Sequence, residues 1–195
     1  MKSKLVIFGI TGIFLFIAST VFFYKMSVRD FPLPVLGEVR TFELTDEQGR
    51  SFSPKNLLNK VWVADFIFTT CGGICPVMSR HMASLHRSYV LEGDVAMVSI
   101  TVNPDHDTPT ILKQYAKKWA AKEGSWYFLT GSAEAIKNVA VNIFKLGNID
   151  EPVFHSEKFI LIDRNARIRG YYDGTDEKEI QRLFVDIARV RKEKH

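Results

Sequence analysis

The chain has 195 residues, 46% hydrophobic and 25% charged, with a formal net charge of +4. That length allows one domain with a real core and is too short for two ordinary ones. Basic residues spread along the whole chain, with no basic stripe interleaved with aromatics, which argues against nucleic acid as a partner. The basic tail RVRKEKH reads as a solvated helix end.

Leu5 to Tyr24 is a run of twenty residues without a charge. At about 1.5 Å per residue it is long enough to cross a hydrocarbon core of about 30 Å. A cleaved signal peptide is the competing reading. It would carry a shorter apolar run and an A-x-A-like site, and neither is present. The sequence therefore predicts a membrane anchor over residues 1–25. A linker follows over 26–38, kept extended by Pro32 and Pro34. A single α/β domain occupies 39–195.

Within that domain RTFELTDEQGRSFSP predicts two short strands around a turn at Gln48-Gly49. KVWVADFIF, from Lys60, is nearly all apolar and β-branched or aromatic, as a strand buried on both faces would be. After Pro76 the period becomes helical. Met78, Met82, Leu85 and Tyr89 share one face. DVAMVSITV is a second central strand. Thr108 and Pro109 form a cap and first position for the next helix. WYFLT is a short strand, and Ser132 caps the helix after it. KFILID and RIRGYYDG are strands joined by a turn at Arg164-Asn165. A last helix starts at Thr175 or Asp176. This alternation implies a mixed sheet with helices on both faces, in the thioredoxin-like arrangement.

The two cysteines of the chain, Cys71 and Cys75, lie in FTTCGGICP. Pro76 suits a first helical position, which would make Cys75 the N-cap. Gly72 and Gly73 can take positive φ and let the loop curl. Both sulfurs would then sit over the positive end of a helix, with both thiol pKa values lowered. Such a pair has three uses. A structural disulfide across three residues closes a tiny loop and stabilises little. Thiol–disulfide exchange usually employs C-x-x-C, one residue shorter. Soft-metal binding needs a third ligand.

Five histidines could supply it. His81 and His86 lie on the helix after Pro76, away from the thiols or towards solvent. His106 sits in the loop NPDHDTP, and His195 ends the chain. His155 immediately precedes a strand, at the place that faces the cysteine loop in a thioredoxin-like sheet. Two thiolates and one imidazole suit Cu(I), and Cu(II) with a further ligand. Structural zinc would want four protein ligands. Met78 and Met82 are soft donors too, but their helical spacing assigns them to the core.

From about Val39 to Arg191 these motifs resemble the SCO/SenC copper proteins, which help assemble the copper-A centre of cytochrome c oxidase. FTTCGGICP is similar to the family's F-T-x-C-x-x-x-C-P. NPDHDTPTILKQYAKKW is similar to its D-P-x-x-D-T-P segment, and FHSEKFILID to its D-H-S segment. The resemblance implies copper ligands at Cys71, Cys75 and His155, with Asp107 close behind them. Gly72-Gly73, Asn103 and Phe154 replace the more usual Pro-Asp, Asp and Asp, which removes negative charge near the metal.

The resulting expectation is a membrane-anchored copper metallochaperone with its domain on the extracytoplasmic side, rather than an enzyme. Its partners would be the oxidase's copper-A subunit, a copper donor protein and a thiol reductant able to open a Cys71–Cys75 disulfide. The alternative is an extracytoplasmic thiol–disulfide oxidoreductase acting on the same subunit's cysteines. A thiol peroxidase would want Thr three residues before its reactive Cys, where this chain has Phe68 and Gly72.

Overall fold

A computed structural model describes residues 16, 19–20, 32–147 and 156–193. The chain divides into two units, Met1–Pro32 and Leu33–His195. Of the first, only Phe16, Ser19 and Thr20 are described, all helical. Leu5–Tyr24, read as an anchor, otherwise lies outside the described residues. Among those described, no helix is long and apolar enough to cross a membrane.

The second unit is a mixed α/β sheet. Its strands are β1 (Gly37–Glu38), β2 (Leu44–Asp46), β3 (Ser51–Phe52), β4 (Val61–Ile67), β5 (Val95–Thr101), β6 (Trp126–Thr130), β7 (Lys158–Ile162) and β8 (Arg167–Asp173). Their order in the sheet is β1-β8-β7-β4-β5-β6-β2-β3. β4, β5 and β6 are parallel, and the remaining pairings are antiparallel. The helices are α1 (Cys75–Tyr89), α2 (Pro109–Lys118), α3 (Ala133–Lys137, continued by a π-helical segment Asn138–Ile143) and α4 (Glu177–Lys192).

Local chemistry explains most boundaries. Gly49 takes φ +79° between β2 and β3, a conformation that costs glycine least. Thr108 is the N-cap of α2, with Pro109 just inside. The Ser132 hydroxyl accepts the Ala135 amide at the head of α3, and the Asp176 carboxylate accepts that of Lys178 at the head of α4. β1 was not foreseen. It lies in the stretch read as linker, where the Leu36 amide and Gly37–Glu38 pair with the edge of β8.

β4 is buried along its whole length and serves two cores. Val61, Val63 and Ile67 join residues of α1, α2 and α4 on one face. Trp62, Ala64 and Phe66 join α3 and its π-helical extension on the other. The expected helices on both faces are therefore present. Met78, Met82 and Leu85 are fully buried and Tyr89 nearly so. Cutting Leu85 to Ala would cost about 2–5 kcal/mol, and the two methionines are core rather than ligands.

Candidate metal centre

β4 and β5 run parallel, so their C-terminal ends open at the same edge of the sheet. β4 delivers the cysteine loop there, and β5 delivers the loop 102–108. Asp107 joins the two. Its carboxylate is fully buried and receives the Thr69 amide (3.0 Å), the Thr69 hydroxyl (2.5 Å), the Thr101 hydroxyl (2.6 Å) and His106 Nδ1 (2.8 Å). Burial alone would raise its pKa. The Thr101 and Thr69 hydroxyls, the His106 ring and the Thr69 amide outweigh burial and hold it below the ordinary value. Asp107 thus fixes the chain two residues ahead of Cys71.

Helix α1 begins one residue earlier than the sequence suggested. Ile74 is its N-cap and Cys75 its first residue. Val77 and Met78 both donate to the Ile74 carbonyl. Gly72 and Gly73 do not take positive φ, and a Cβ on either would meet nothing within 4 Å. The loop curls without that freedom, through the Cys71 amide to the Phe68 carbonyl (3.2 Å).

Both cysteines are free thiols, Cys71 part-exposed and Cys75 buried. They were expected to acidify together, and they do not. Burial raises the Cys71 pKa, but the Cys75 amide and thiol and the Gly73 and Ile74 amides outweigh it, so Cys71 falls below the ordinary thiol value. Cys75 is pushed up to about 12. Burial is the main cause. The Phe68 backbone opposes it, while the neighbouring Cys71 sulfur and the Asp65 carboxyl add to the rise. The first helical residue points its sulfur into the core, and burial outweighs the helix terminus.

Asp65 was not singled out from the sequence. A lone carboxylate in the apolar run VWVADFI was the signal available. By strand alternation it shares the face of β4 that packs under α1. It is fully buried, and neither carboxyl oxygen has a hydrogen-bond partner among the described residues. Its cross-strand neighbour Ser99 accepts Trp126 Nε1–H at 3.0 Å. Burial pushes the Asp65 pKa up to about 7; the Ser99 hydroxyl and Asp65's own backbone lie close enough to pull the other way, but neither closes a hydrogen bond to the carboxyl.

His155 lies outside the described residues. The chain entering β7 is held by the Gly174 amide, which donates to the Glu157 carbonyl (2.6 Å). A Cβ on Gly174 would sit 3.0 Å from that carbonyl and 3.1 Å from Met78 Cε. His81 is half-buried, with Nδ1 donating to the Gly174 carbonyl (2.8 Å) and Nε2 near Glu177. His86 is buried rather than solvent-facing, and binds the Ser125 hydroxyl (2.9 Å) beside Trp126. Among the described residues no three His, Cys, Asp or Glu side chains are grouped to hold a metal ion.

The SCO1/SenC family profile matches residues 36–191. The chain belongs to this family. It is 31% identical over 160 residues to the SCO1 protein homolog of Bacillus subtilis, covering 79% of this chain and 83% of the relative. Its fold matches that of BsSco, a member of the Sco family of cytochrome c oxidase assembly proteins in which a disulfide switch has been identified. That match has a TM-score of 0.72 at 30% identity, over 84% of this chain and all of BsSco. It also matches Arabidopsis thaliana ScoI, solved with copper bound, with a TM-score of 0.63. Identity there is 26%, over 80% of this chain and 99% of ScoI. Within the SCO1/SenC family this chain carries its cysteines on a loop whose two glycines are open to solvent, anchored by Asp107.

Proposed function

We propose that this chain captures copper(I) with Cys71, Cys75 and His155 and passes it to the copper-A subunit of cytochrome c oxidase. Leu5–Tyr24 would hold it in a membrane with the domain outside the cytoplasm. The observation that carries this reading is the pair of free thiols at the head of α1, one part-exposed and one buried, in a family whose member ScoI has been solved with copper. BsSco's membership of a family of oxidase assembly proteins supports the choice of client. A soft cation suits two sulfurs and an imidazole. Cys71 meets it as the part-exposed, acidified thiol. Cys75 gives up its proton only to a partner that forms a strong bond to sulfur, because burial disfavours its free thiolate.

The reduced full-length chain should take up one Cu(I), and Cys71→Ser should abolish uptake, since a hydroxyl is a poor ligand for this ion. Full copper retention by Cys71→Ser would overturn the assignment.

The same asymmetry favours a second reading. A part-exposed, activated thiol beside a buried one is also the layout of an attacking and a resolving cysteine. Oxidation should join Cys71 to Cys75, because no other cysteine exists. His155→Ala separates the readings. It leaves both thiols in place, so thiol exchange should survive while copper binding weakens. Normal copper binding and normal oxidase assembly in that variant would favour the oxidoreductase.

A further inference from the structure

Three histidines are described, and two of them are committed to structure: His81 through Gly174 and Glu177, His86 through Ser125. His106 differs. Its side chain is 47% exposed. Its Nδ1 faces the buried Asp107 carboxylate at 2.8 Å. That carboxylate receives four donors and acts as an acceptor, so Nδ1 carries the hydrogen and Nε2 of the neutral ring keeps its lone pair. Nε2 has no hydrogen-bond partner among the described residues. An imidazole steered by a carboxylate through one nitrogen, with the other turned outward, is how proteins commonly present a metal ligand.

Its position is equally specific. Asp107 Oδ1 receives both His106 Nδ1 and the Thr69 hydroxyl, so the imidazole and the root of the cysteine loop pivot on one oxygen atom. Cys71 follows two residues later and is part-exposed. The glycines after it have open space around them. His106 does not belong to a preformed group of three ligands. A two-ligand site suffices for Cu(I), a soft ion that accepts few donors.

On the copper-handling reading above, we propose that His106 Nε2 and Cys71 Sγ form an outer Cu(I) site, through which the ion passes on its way to or from Cys75 and His155. The step is a ligand exchange. The bond from copper to a donor thiolate breaks as the bonds to Cys71 and His106 form. The Cys71 proton moves to the released donor thiolate, and copper stays Cu(I).

The test uses the full-length chain and Cu(I)–glutathione. With Cys75→Ser and His155→Ala, only the outer pair remains. This variant should still bind one Cu(I), with nitrogen and sulfur neighbours by X-ray absorption. Adding His106→Asn should lower its affinity by about tenfold or more and remove the nitrogen neighbour. Asn keeps an amide donor for Asp107, so a loss cannot be blamed on the Thr69 anchor. In the otherwise unchanged chain, His106→Asn should slow loading by about fivefold. The same affinity and scattering with and without His106 would overturn the outer site alone. No Cu(I) uptake by the unmodified chain would overturn the copper reading itself, and the outer site with it.

Discussion

Buried charge is handled in opposite ways in two regions of this domain. Arg169 in β8 is 2% exposed and is surrounded by acceptors: the Asp163 and Glu193 carboxylates and the Leu33 and Pro34 carbonyls. Asp65, under the cysteine loop, is as deeply buried and has no partner among the described residues. The first arrangement joins the chain before β1, the β7–β8 turn and the end of α4, and every charge in it is answered. The second leaves a carboxyl facing the core beneath Cys75 and opposes that thiol's ionisation. Satisfied burial makes architecture, whereas unsatisfied burial lowers stability and is kept next to the chemistry.

The largest expected effect breaks the satisfied region. Arg169→Ala would strand Asp163 and Glu193 and release Leu33 and Pro34. It should cost about 3–5 kcal/mol, measured by urea unfolding. A loss under about 1 kcal/mol would mean that the network is ornamental.

The thiol asymmetry comes next. At neutral pH, limiting iodoacetamide should modify Cys71 about 30-fold or more faster than Cys75, read by peptide mass analysis. The thiolate populations differ widely, although the more acidic thiolate is the weaker nucleophile. Equal rates would remove the argument that Cys75 is the shielded partner.

Asp65→Asn should then sharpen the comparison by stabilising the domain at pH 8 by about 1–2 kcal/mol, the remaining unpaired amide limiting the gain. The sign follows from linkage. Burial pushes the folded Asp65 pKa up to about 7. Its protonated form is therefore favoured in the fold. Stability is full below the ordinary carboxylate pKa and is lost as pH rises through about 7. For Asp163, burial raises the pKa but the Arg167 amide and side chain, Arg169 and the Asn165 amide outweigh it, so the pKa is lowered. Asp107 is lowered too. Their contributions are present above the ordinary carboxylate pKa and lost as pH falls through the depressed values. Thermal unfolding against pH should lose the decline between the ordinary carboxylate pKa and about 7 in Asp65→Asn, while the fall at lower pH set by Asp107 and Asp163 stays unchanged.

The smallest effect is at the loop glycines. Gly72→Ala should shift stability by no more than about 1 kcal/mol, because φ is not left-handed there and the new methyl group meets nothing. A larger loss by thermal unfolding would show that the loop needs glycine after all.

The amino-acid sequence alone determined the parts of this protein that depend on neighbours along the chain. Apolar runs set β4 and β5, the Met78–Tyr89 face set α1, and Thr108-Pro109, Ser132 and Asp176 set helix starts, because turns, caps and periodicity are written within a few residues. The cysteine motif and the D-T-P segment were legible for the same reason, and they were enough to place the chain among SCO proteins. Tertiary structure decided what depends on partners far away in sequence. Leu33 to Glu38 became part of the sheet edge because Arg169 and the β8 backbone lie more than a hundred residues on. Cys71 and Cys75 became unlike each other because only the packed core buries one of them. Asp107 became the hinge between two loops through the parallel pairing of β4 with β5, and Asp65 a carboxyl without a partner among the described residues because the packed core covers it. Burial and long-range hydrogen bonding set these properties, and neither is encoded by local spacing.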